Sequence, residues 1–371
     1  MLFNDLMVLC DNNDAFAYTD INHTDGAVYR LFNYRLASWS DFHDNLNALE
    51  CRGSLFREDD SEWKCVSRPP EKFFNLHEGD VDHNFLNPMQ IMVKEDGSLI
   101  STFIDVNKNL AVKSKGSLYS EHAQAAMNII KNSKELEDDL IVLGYMGYTV
   151  NMEYCSVNPL HRIVISHETN HLVVLNVRHN ETGRYLTQLE IKYIKSISSL
   201  LNYWVDVKVI EDVNLFIESV PNMIDIEGYV IQKVTGEHVK LKTLWYLERH
   251  RAKDTITNPK ALFNAVLDEI LDDVRELFID DNHALELINK GELYVNNIHN
   301  TLVQEVESYH KAHIEMDRKG YAINGRDVLS SGAFGLAMML YTDKIPDYKK
   351  SLRKLYKDEI FRTKFIDEVY L

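Results

Sequence analysis

Ile91-Met92-Val93-Lys94-Glu95-Asp96-Gly97-Ser98-Leu99-Ile100 places one lysine between two apolar runs, at the lip of an Asp-Gly turn. Asp-Gly between apolar runs signals a β-hairpin, because glycine accepts the positive φ that such turns require. The glycine also leaves bare backbone beside the lysine, where a phosphate can approach closely. A lysine on a rigid strand end is well placed to act as a nucleophile. Taken alone, Lys-x-Asp-Gly is equally compatible with a surface lysine beside a turn.

Two further stretches resolve that ambiguity: Glu227-Gly228-Tyr229-Val230 and Val239-Lys240-Leu241-Lys242. Lys94 to Ser98 resembles the first motif of the covalent nucleotidyltransferases, which include RNA ligases, DNA ligases and mRNA capping enzymes. The other two stretches resemble the fourth and fifth motifs of that superfamily, in the right order. The flanking segments resemble the RNA ligase 1 family of T-even-type bacteriophages over nearly the whole length, most weakly after Ile279. The resemblance implies an α+β fold, an ATP-grasp-like nucleotidyltransferase (adenylation) domain over residues 1–243. A mainly α-helical C-terminal domain over 244–371 would follow, with a possible role in tRNA specificity.

Composition sets outer limits. The chain has 371 residues, 45% hydrophobic and 26% charged, ordinary globular material and enough for two domains. It contains no apolar run of about 18 residues that would predict a transmembrane helix. A basic segment followed by an apolar core is absent at the start, so no secretory signal is expected. Cys10, Cys51, Cys65 and Cys155 lack C-x-x-C spacing and read as reduced, buried thiols of a cytoplasmic protein. If the chain is phage-encoded, that is the host cytoplasm. The net charge of −17 opposes indiscriminate nucleic-acid binding, whose affinity comes mainly from neutralised phosphates. Cations must therefore be concentrated locally. Lys240, Lys242, Arg249, Arg251 and Lys253 form one cluster; Lys349, Lys350, Arg353, Lys354 and Lys357 form another that also reads as a solvated helix face.

Along the chain, Val28–Tyr34 is strand-like, and Glu50–Phe56 is a possible strand carrying Arg52 beside a glycine. Pro69-Pro70 argues against a helix interior before Lys72 and Phe74. Val112-Lys113-Ser114-Lys115-Gly116-Ser117 resembles the family's next lysine motif. Apolar residues at helical spacing predict one helix over Glu121–Leu143. Thr149–Tyr154 is a strand carrying Glu153, which matches the superfamily's third motif. The link from Glu153 to Arg162 is about two residues longer than the family pattern, and His161 stands where asparagine is expected. His167-Glu168-Thr169-Asn170-His171 matches H-E-x-x-H, but zinc proteases need that motif on a helix. Here it joins two β-branched runs, Arg162–Ser166 and Leu172–Arg178, and reads as a hairpin turn. Asn258-Pro259 predicts an N-cap and first-turn proline. One apolar helical face then runs from Leu262 to Leu277, and helical patterns continue through Ala284–Val295, Leu302–Ile314 and Ser351–Val369.

The resemblance implies an ATP-dependent RNA ligase that joins 5′-phosphate and 3′-hydroxyl ends through lysyl-AMP and adenylylated RNA. Lys94 is the catalytic nucleophile it points to. Tyr34, Arg52, Lys72, Phe74, Gly97, Lys115, Glu153, Glu227, Gly228, Lys240, Lys242 and Tyr246 make up the implied nucleotide site. Within it, Lys240 and Lys242 would contact the α-phosphate, and Arg52 and Lys72 would hold the departing phosphates. Magnesium is the expected metal, with Glu227, Asp272 and Asp273 as candidate ligands. Only about one lysine in a thousand is neutral near pH 7.4. Nearby cations (Lys240, Lys242, a metal) are expected to free the Lys94 amine, with the Glu95 and Asp96 carboxylates turned away. The implied substrate is RNA, a nicked tRNA, with an end-healing kinase/phosphatase acting beforehand. A protein of another class also retains this pattern: a non-catalytic RNA-binding or phage-assembly protein on the same fold. DNA ligases and capping enzymes are disfavoured, because a small β-barrel follows their fifth motif.

Overall fold

The computed structural model describes residues 2–76, 78–79, 85, 88–157, 164–165, 167–197, 199–250, 258–277 and 282–371. Contacts divide the chain into two units, Met1–His250 and Arg251–Leu371. The first unit begins with α1 (Leu2–Asn12), β1 (Phe16–Asn22), β2 (Val28–Tyr34), α2 (Trp39–His43), β3 (Ser54–Asp59), β4 (Glu62–Ser67) and β5 (Phe74–Asn75). It continues with β6 (Gln90–Lys94), β7 (Ser98–Ile104), β8 (Leu110–Ser114), α3 (Glu121–Lys131), α4 (Lys134–Tyr145), β9 (Tyr148–Cys155) and β10 (His171–His179). It closes with β11 (Tyr185–Leu186), α5 (Gln188–Tyr193), β12 (Val207–Lys208), α6 (Val213–Ser219), β13 (Gly228–Gln232), β14 (His238–Lys242) and α7 (Leu244–His250). The second unit contains α8 (Pro259–Leu267), α9 (Leu271–Leu277), α10 (Asn282–His313), α11 (Arg318–Val328), α12 (Phe334–Tyr341), α13 (Tyr348–Leu355) and α14 (Glu359–Tyr370). The fold is α+β, followed by a helical region.

Three sheets build the first unit: β1-β2-β3-β4, β11-β10-β9-β7-β8 and β12-β6-β13-β14-β5. Strand alternation decides how the third is used. Ile91 and Val93 of β6, Tyr229 and Ile231 of β13, and Val239 and Leu241 of β14 enter one core with Leu76 and Val220. Period-two geometry sends Met92, Lys94, Gly228, Val230, Lys240 and Lys242 to the opposite face. There Met92 and Val230 pack with Val205 and meet Val173 and Leu175 of β10. The second and third sheets therefore face each other. Ile231 and Val239 are at most 1% exposed, and each such burial contributes roughly 1.5–3 kcal/mol. A one-residue slip of β14 would drive Lys240 and Lys242 into that core, so the register is strongly specified.

Several local expectations change. β6 and β7 do not pair with each other; β6 lies between β12 and β13, and β7 between β8 and β9. The Asp96-Gly97 turn is thus a crossing between two sheets instead of a hairpin. The Glu121–Leu143 pattern breaks into α3 and α4, because Ser133 caps the second helix by accepting from the Leu136 amide. Of the expected 162–166/172–178 hairpin, Val164 and Ile165 are outside any strand and β10 pairs with β9 and β11, while Arg162, Ile163 and Ser166 lie outside the described residues. Cys51 and Cys155 are buried, but Cys10 and Cys65 only partly so.

In the second unit Asn258 Oδ1 accepts from the Lys260 and Ala261 amides, the N-cap the sequence predicts. The apolar face beyond it is split at Glu269, whose φ is +59°. Conversely, the patterns over 284–295 and 302–314 merge into the 32-residue α10. Phe263 packs against Tyr356, Phe361 and Phe365 to centre this unit. Lys349 and Arg353 of the C-terminal basic cluster bind Glu269 and Asp268 in the α8–α9 turn. Among the described residues no helix is long and apolar enough to cross a membrane.

Candidate active site

Strand register brings the first, fourth and fifth sequence motifs together. Gly228 is the cross-strand partner of Lys94 on one side and of Lys242 on the other. Glu227, just before β13, receives both cations on one oxygen: Lys94 Nζ lies 2.7 Å and Lys242 Nζ 3.2 Å from Glu227 Oε1. The Glu227 and Lys242 side chains are 3% and 6% exposed, whereas that of Lys94 is 23% exposed. The outer lysine is therefore the one a ligand can reach. Lys242, one of the cations expected near Lys94, is there, with the Glu227 carboxylate between the two lysines.

Gly228 is what lets three charged groups converge. A Cβ there would stand 2.0 Å from the Leu241 carbonyl oxygen, at a φ of +152°. Neither the backbone nor the conformation tolerates a side chain. Gly228→Ala is expected to destabilise the first unit by roughly 2–4 kcal/mol and to part Lys94 from Lys242. Urea denaturation checks the first effect, and adenylylation by the remaining folded protein checks the second.

Asp96 anchors the turn that follows the lysine. Its Oδ2 accepts from the amides of Val164 (2.7 Å) and Ile165 (2.6 Å), and its Oδ1 accepts from the Tyr246 hydroxyl at 2.9 Å. Both carboxylate oxygens are thus occupied, one by backbone amides and one by a phenol. Tyr246 is 2% exposed and also lies under Lys242, 5.2 Å from ring centre to Nζ, so it supports both charged groups. Gly97 does not adopt the positive φ expected of it. Its glycine is required by close approach: a Cβ would stand 2.4 Å from the Tyr154 carbonyl oxygen.

Glu153 comes from the facing sheet, opposite Leu99 of β7. Burial pushes its carboxyl up to about 8; Lys94 and Arg52 oppose the change, and Glu227 and Asp96 reinforce it. The folded protein thus keeps a proton that an unfolded carboxyl releases near 4.5. That stabilising difference is complete below pH 4.5 and is lost as pH rises through about 8. Glu153→Gln removes the titration. The wild type is expected to lose roughly 2–4 kcal/mol relative to this variant between pH 5 and pH 9, read from paired unfolding curves.

Tyr34, Lys72, Phe74 and Lys115 form a second cluster. Lys115 Nζ lies 4.3 Å from the Tyr34 ring centre. Lys72 Nζ lies 5.8 Å from Tyr34 and 5.4 Å from Phe74. Arg52 donates to the Pro70 carbonyl at 3.3 Å and lies over Phe73. Lys240 shares the Lys242 face two residues away. Sequence reasoning missed Lys113, which is fully buried; burial, helped by Arg52, pushes its amine down to about 7. Nothing in its neighbourhood in the chain marks that burial.

Asp272 and Asp273 lie in the first turn of α9, in the second unit, where Asp272 Oδ1 accepts from the Asp273 amide. His161, Arg162, Arg251 and Lys253 lie outside the described residues. The donor chemistry of Glu227 suits a hard cation such as magnesium. Its Oε1 is already shared by two ammonium groups, so it fits a metal arriving on phosphates better than an all-protein cage.

The family described as RNA ligase matches residues 50–248, and the T4 RNA ligase 1 C-terminal domain family matches 253–367. An RNA ligase of Rhodothermus phage RM378 is 24% identical, covering 70% of this chain and 75% of that protein. Among solved structures, an archaeal ATP-dependent RNA ligase superposes with a TM-score of 0.51 at 12% identity, covering 86% of this chain and 84% of that one. That likeness concerns the fold.

Proposed function

The chain belongs to the RNA ligase family, which matches more than half of it, and on that premise we propose that it is an ATP-dependent RNA ligase with Lys94 as nucleophile. One observation carries the proposal: a partly exposed lysine shares one buried carboxylate oxygen with a buried second lysine.

Three displacements follow. Lys94 Nζ attacks the α-phosphorus of ATP; a P–N bond forms, the bond to pyrophosphate breaks, and Glu227 Oε1 is positioned to take the amine proton. An RNA 5′-phosphate then attacks the same phosphorus, the P–N bond breaks, and Lys94 recovers a proton. Finally a 3′-hydroxyl attacks the activated end and AMP leaves. The covalent intermediate splits one difficult condensation into tractable steps. Lys240 and Lys242 stabilise the α-phosphate as negative charge builds. Arg52 and Lys72 receive the outgoing phosphates, and the planar fork of Arg52 suits bidentate binding. Glu153, neutral at pH 7, hydrogen-bonds a ribose hydroxyl. Lys115, Tyr34 and Phe74 line the nucleotide site. Magnesium, when bound, would neutralise phosphate charge, with Glu227 as its candidate protein oxygen in the first unit.

The substrate we infer is a tRNA cut in its anticodon loop, whose ends a kinase/phosphatase has first converted to 5′-phosphate and 3′-hydroxyl. The inferred setting is the host cytoplasm. Incubation with ATP, magnesium and 5′-phosphorylated RNA tests the reaction class. RNA-adenylate and joined RNA are expected; joining of DNA alone, or no AMP transfer from folded protein, would overturn it.

A further inference from the structure

The H-E-x-x-H stretch is not explained by ligation, and its histidines do converge. His171, the first residue of β10, is the cross-strand partner of Cys155, the last of β9. His167 lies on the connecting turn, and one ligand atom each from Cys155, His167 and His171 falls within 4.8 Å of the others. Glu168, which a zinc protease would need as base, is exposed. The arrangement therefore has cation-binding geometry but no protease geometry.

We propose that Cys155, His167 and His171 form a binding site for a thiophilic divalent cation, zinc by donor type, that clips β9 and β10 to the turn carrying the nucleophile. The hydrogen bonds of the two rings select the donor atoms. His167 Nε2 faces the Asp96 carbonyl oxygen at 2.8 Å, and His171 Nδ1 faces the Thr169 carbonyl oxygen at 2.9 Å. A carbonyl only accepts, so each of these nitrogens bears the proton. The lone pairs are left on His167 Nδ1 and His171 Nε2. Backbone carbonyls orienting ligand imidazoles through the second nitrogen is the usual support of a metal site.

Zinc takes sulfur at about 2.3 Å and imidazole nitrogen at about 2.0–2.1 Å, so tetrahedral ligands stand roughly 3.5 Å apart. The cluster, with ligand atoms all within 4.8 Å of one another, closes to that spacing by small side-chain rotations. The half-buried histidines can supply them. A water takes the fourth position, and the Glu95 carboxyl interacts electrostatically with both imidazoles. Burial and nearby carboxylates push the Cys155 thiol up. Binding therefore exchanges a proton for the metal: the S–H bond breaks, the proton goes to solvent, and the sulfur–metal bond forms. A thiolate and two imidazoles select zinc or cobalt over magnesium. Through the His167–Asp96 bond, the occupied site would restrain the residue two positions after Lys94.

Titration of the reduced, chelator-treated full chain with Co²⁺ tests this. One equivalent is expected to give a thiolate-to-cobalt charge-transfer band and the strong visible bands of a tetrahedral ion, both removed by one equivalent of Zn²⁺. Cys155→Ser should lose the charge-transfer band, and His171→Gln should weaken binding at least about tenfold. Zinc should raise the melting temperature of wild type but not of His171→Gln, which keeps a folded reference should Cys155→Ser fold poorly. The spectrum of free aqueous cobalt with wild type, or an unchanged charge-transfer band in Cys155→Ser, would overturn the proposal.

Discussion

Replacing Lys94 with alanine is expected to abolish covalent labelling by α-labelled ATP. Two buried lysines do not substitute for it: Lys242 is 6% exposed and held on Glu227, and Lys113 is fully buried. Removing a nucleophile of this kind costs a factor on the order of 10⁴–10⁶ in rate. Acid-labile label should appear on the wild type in a denaturing gel, without RNA, and fall to background in Lys94→Ala. Lys94→Arg should fare no better, since guanidinium stays protonated at any usable pH. Sealing of RNA that is already adenylylated needs no lysyl-AMP and should survive in both variants better than sealing from ATP. Label persisting on Lys94→Ala would move the nucleophile elsewhere and dismiss the site as drawn.

The second large effect concerns stability. Arg178 of β10 is 1% exposed and donates to Glu50 Oε1 at 2.6 Å, to Glu50 Oε2 at 2.8 Å, and to the carbonyls of Pro69 (2.7 Å) and Gly183 (2.9 Å). Arg68 binds the same carboxylate at 2.6 Å. Burial alone would raise the Glu50 carboxyl, but Arg178 and Arg68 hold it below the usual carboxylate range. Arg178→Ala leaves a buried carboxylate half-compensated and two carbonyls without their donor. Breaking such a group costs about 3–5 kcal/mol. Arg178→Met, which fills the space, should recover part of it. Urea midpoints decide the matter; a loss under about 1 kcal/mol would show that the network tolerates solvent. ATP binding should weaken as well, because the network braces the segments that carry Arg52 and Lys72.

Much of this was legible before any coordinates. Lys94–Ser98, Glu227–Val230 and Val239–Lys242 stood out by their resemblance to one superfamily's motifs, and the structure makes Lys94, Gly228 and Lys242 cross-strand neighbours. Asn258-Pro259 marked the start of α8 because a cap is a matter of two or three neighbouring amides. The roles of Asp96 and Tyr246 were only partly legible. Asp96 could be placed in the turn after the lysine, but not told to take two amides and a phenol from distant segments.

The chain by itself determined the helical character of its last third, because period and turn chemistry are local properties, and its resemblance to a known family implied the fold class and the set of motifs. Tertiary structure decided what depends on partners far along the chain. Asp96-Gly97 became a crossing because β6 found its hydrogen-bonding neighbours in β12 and β13. Gly97 is required by the Tyr154 carbonyl, not by its own φ. Lys113 and Arg178 are hydrophilic in sequence and buried in space, since burial is set by what packs over a residue. The Cys155–His171 pairing follows from the β9–β10 register, which no local pattern encodes.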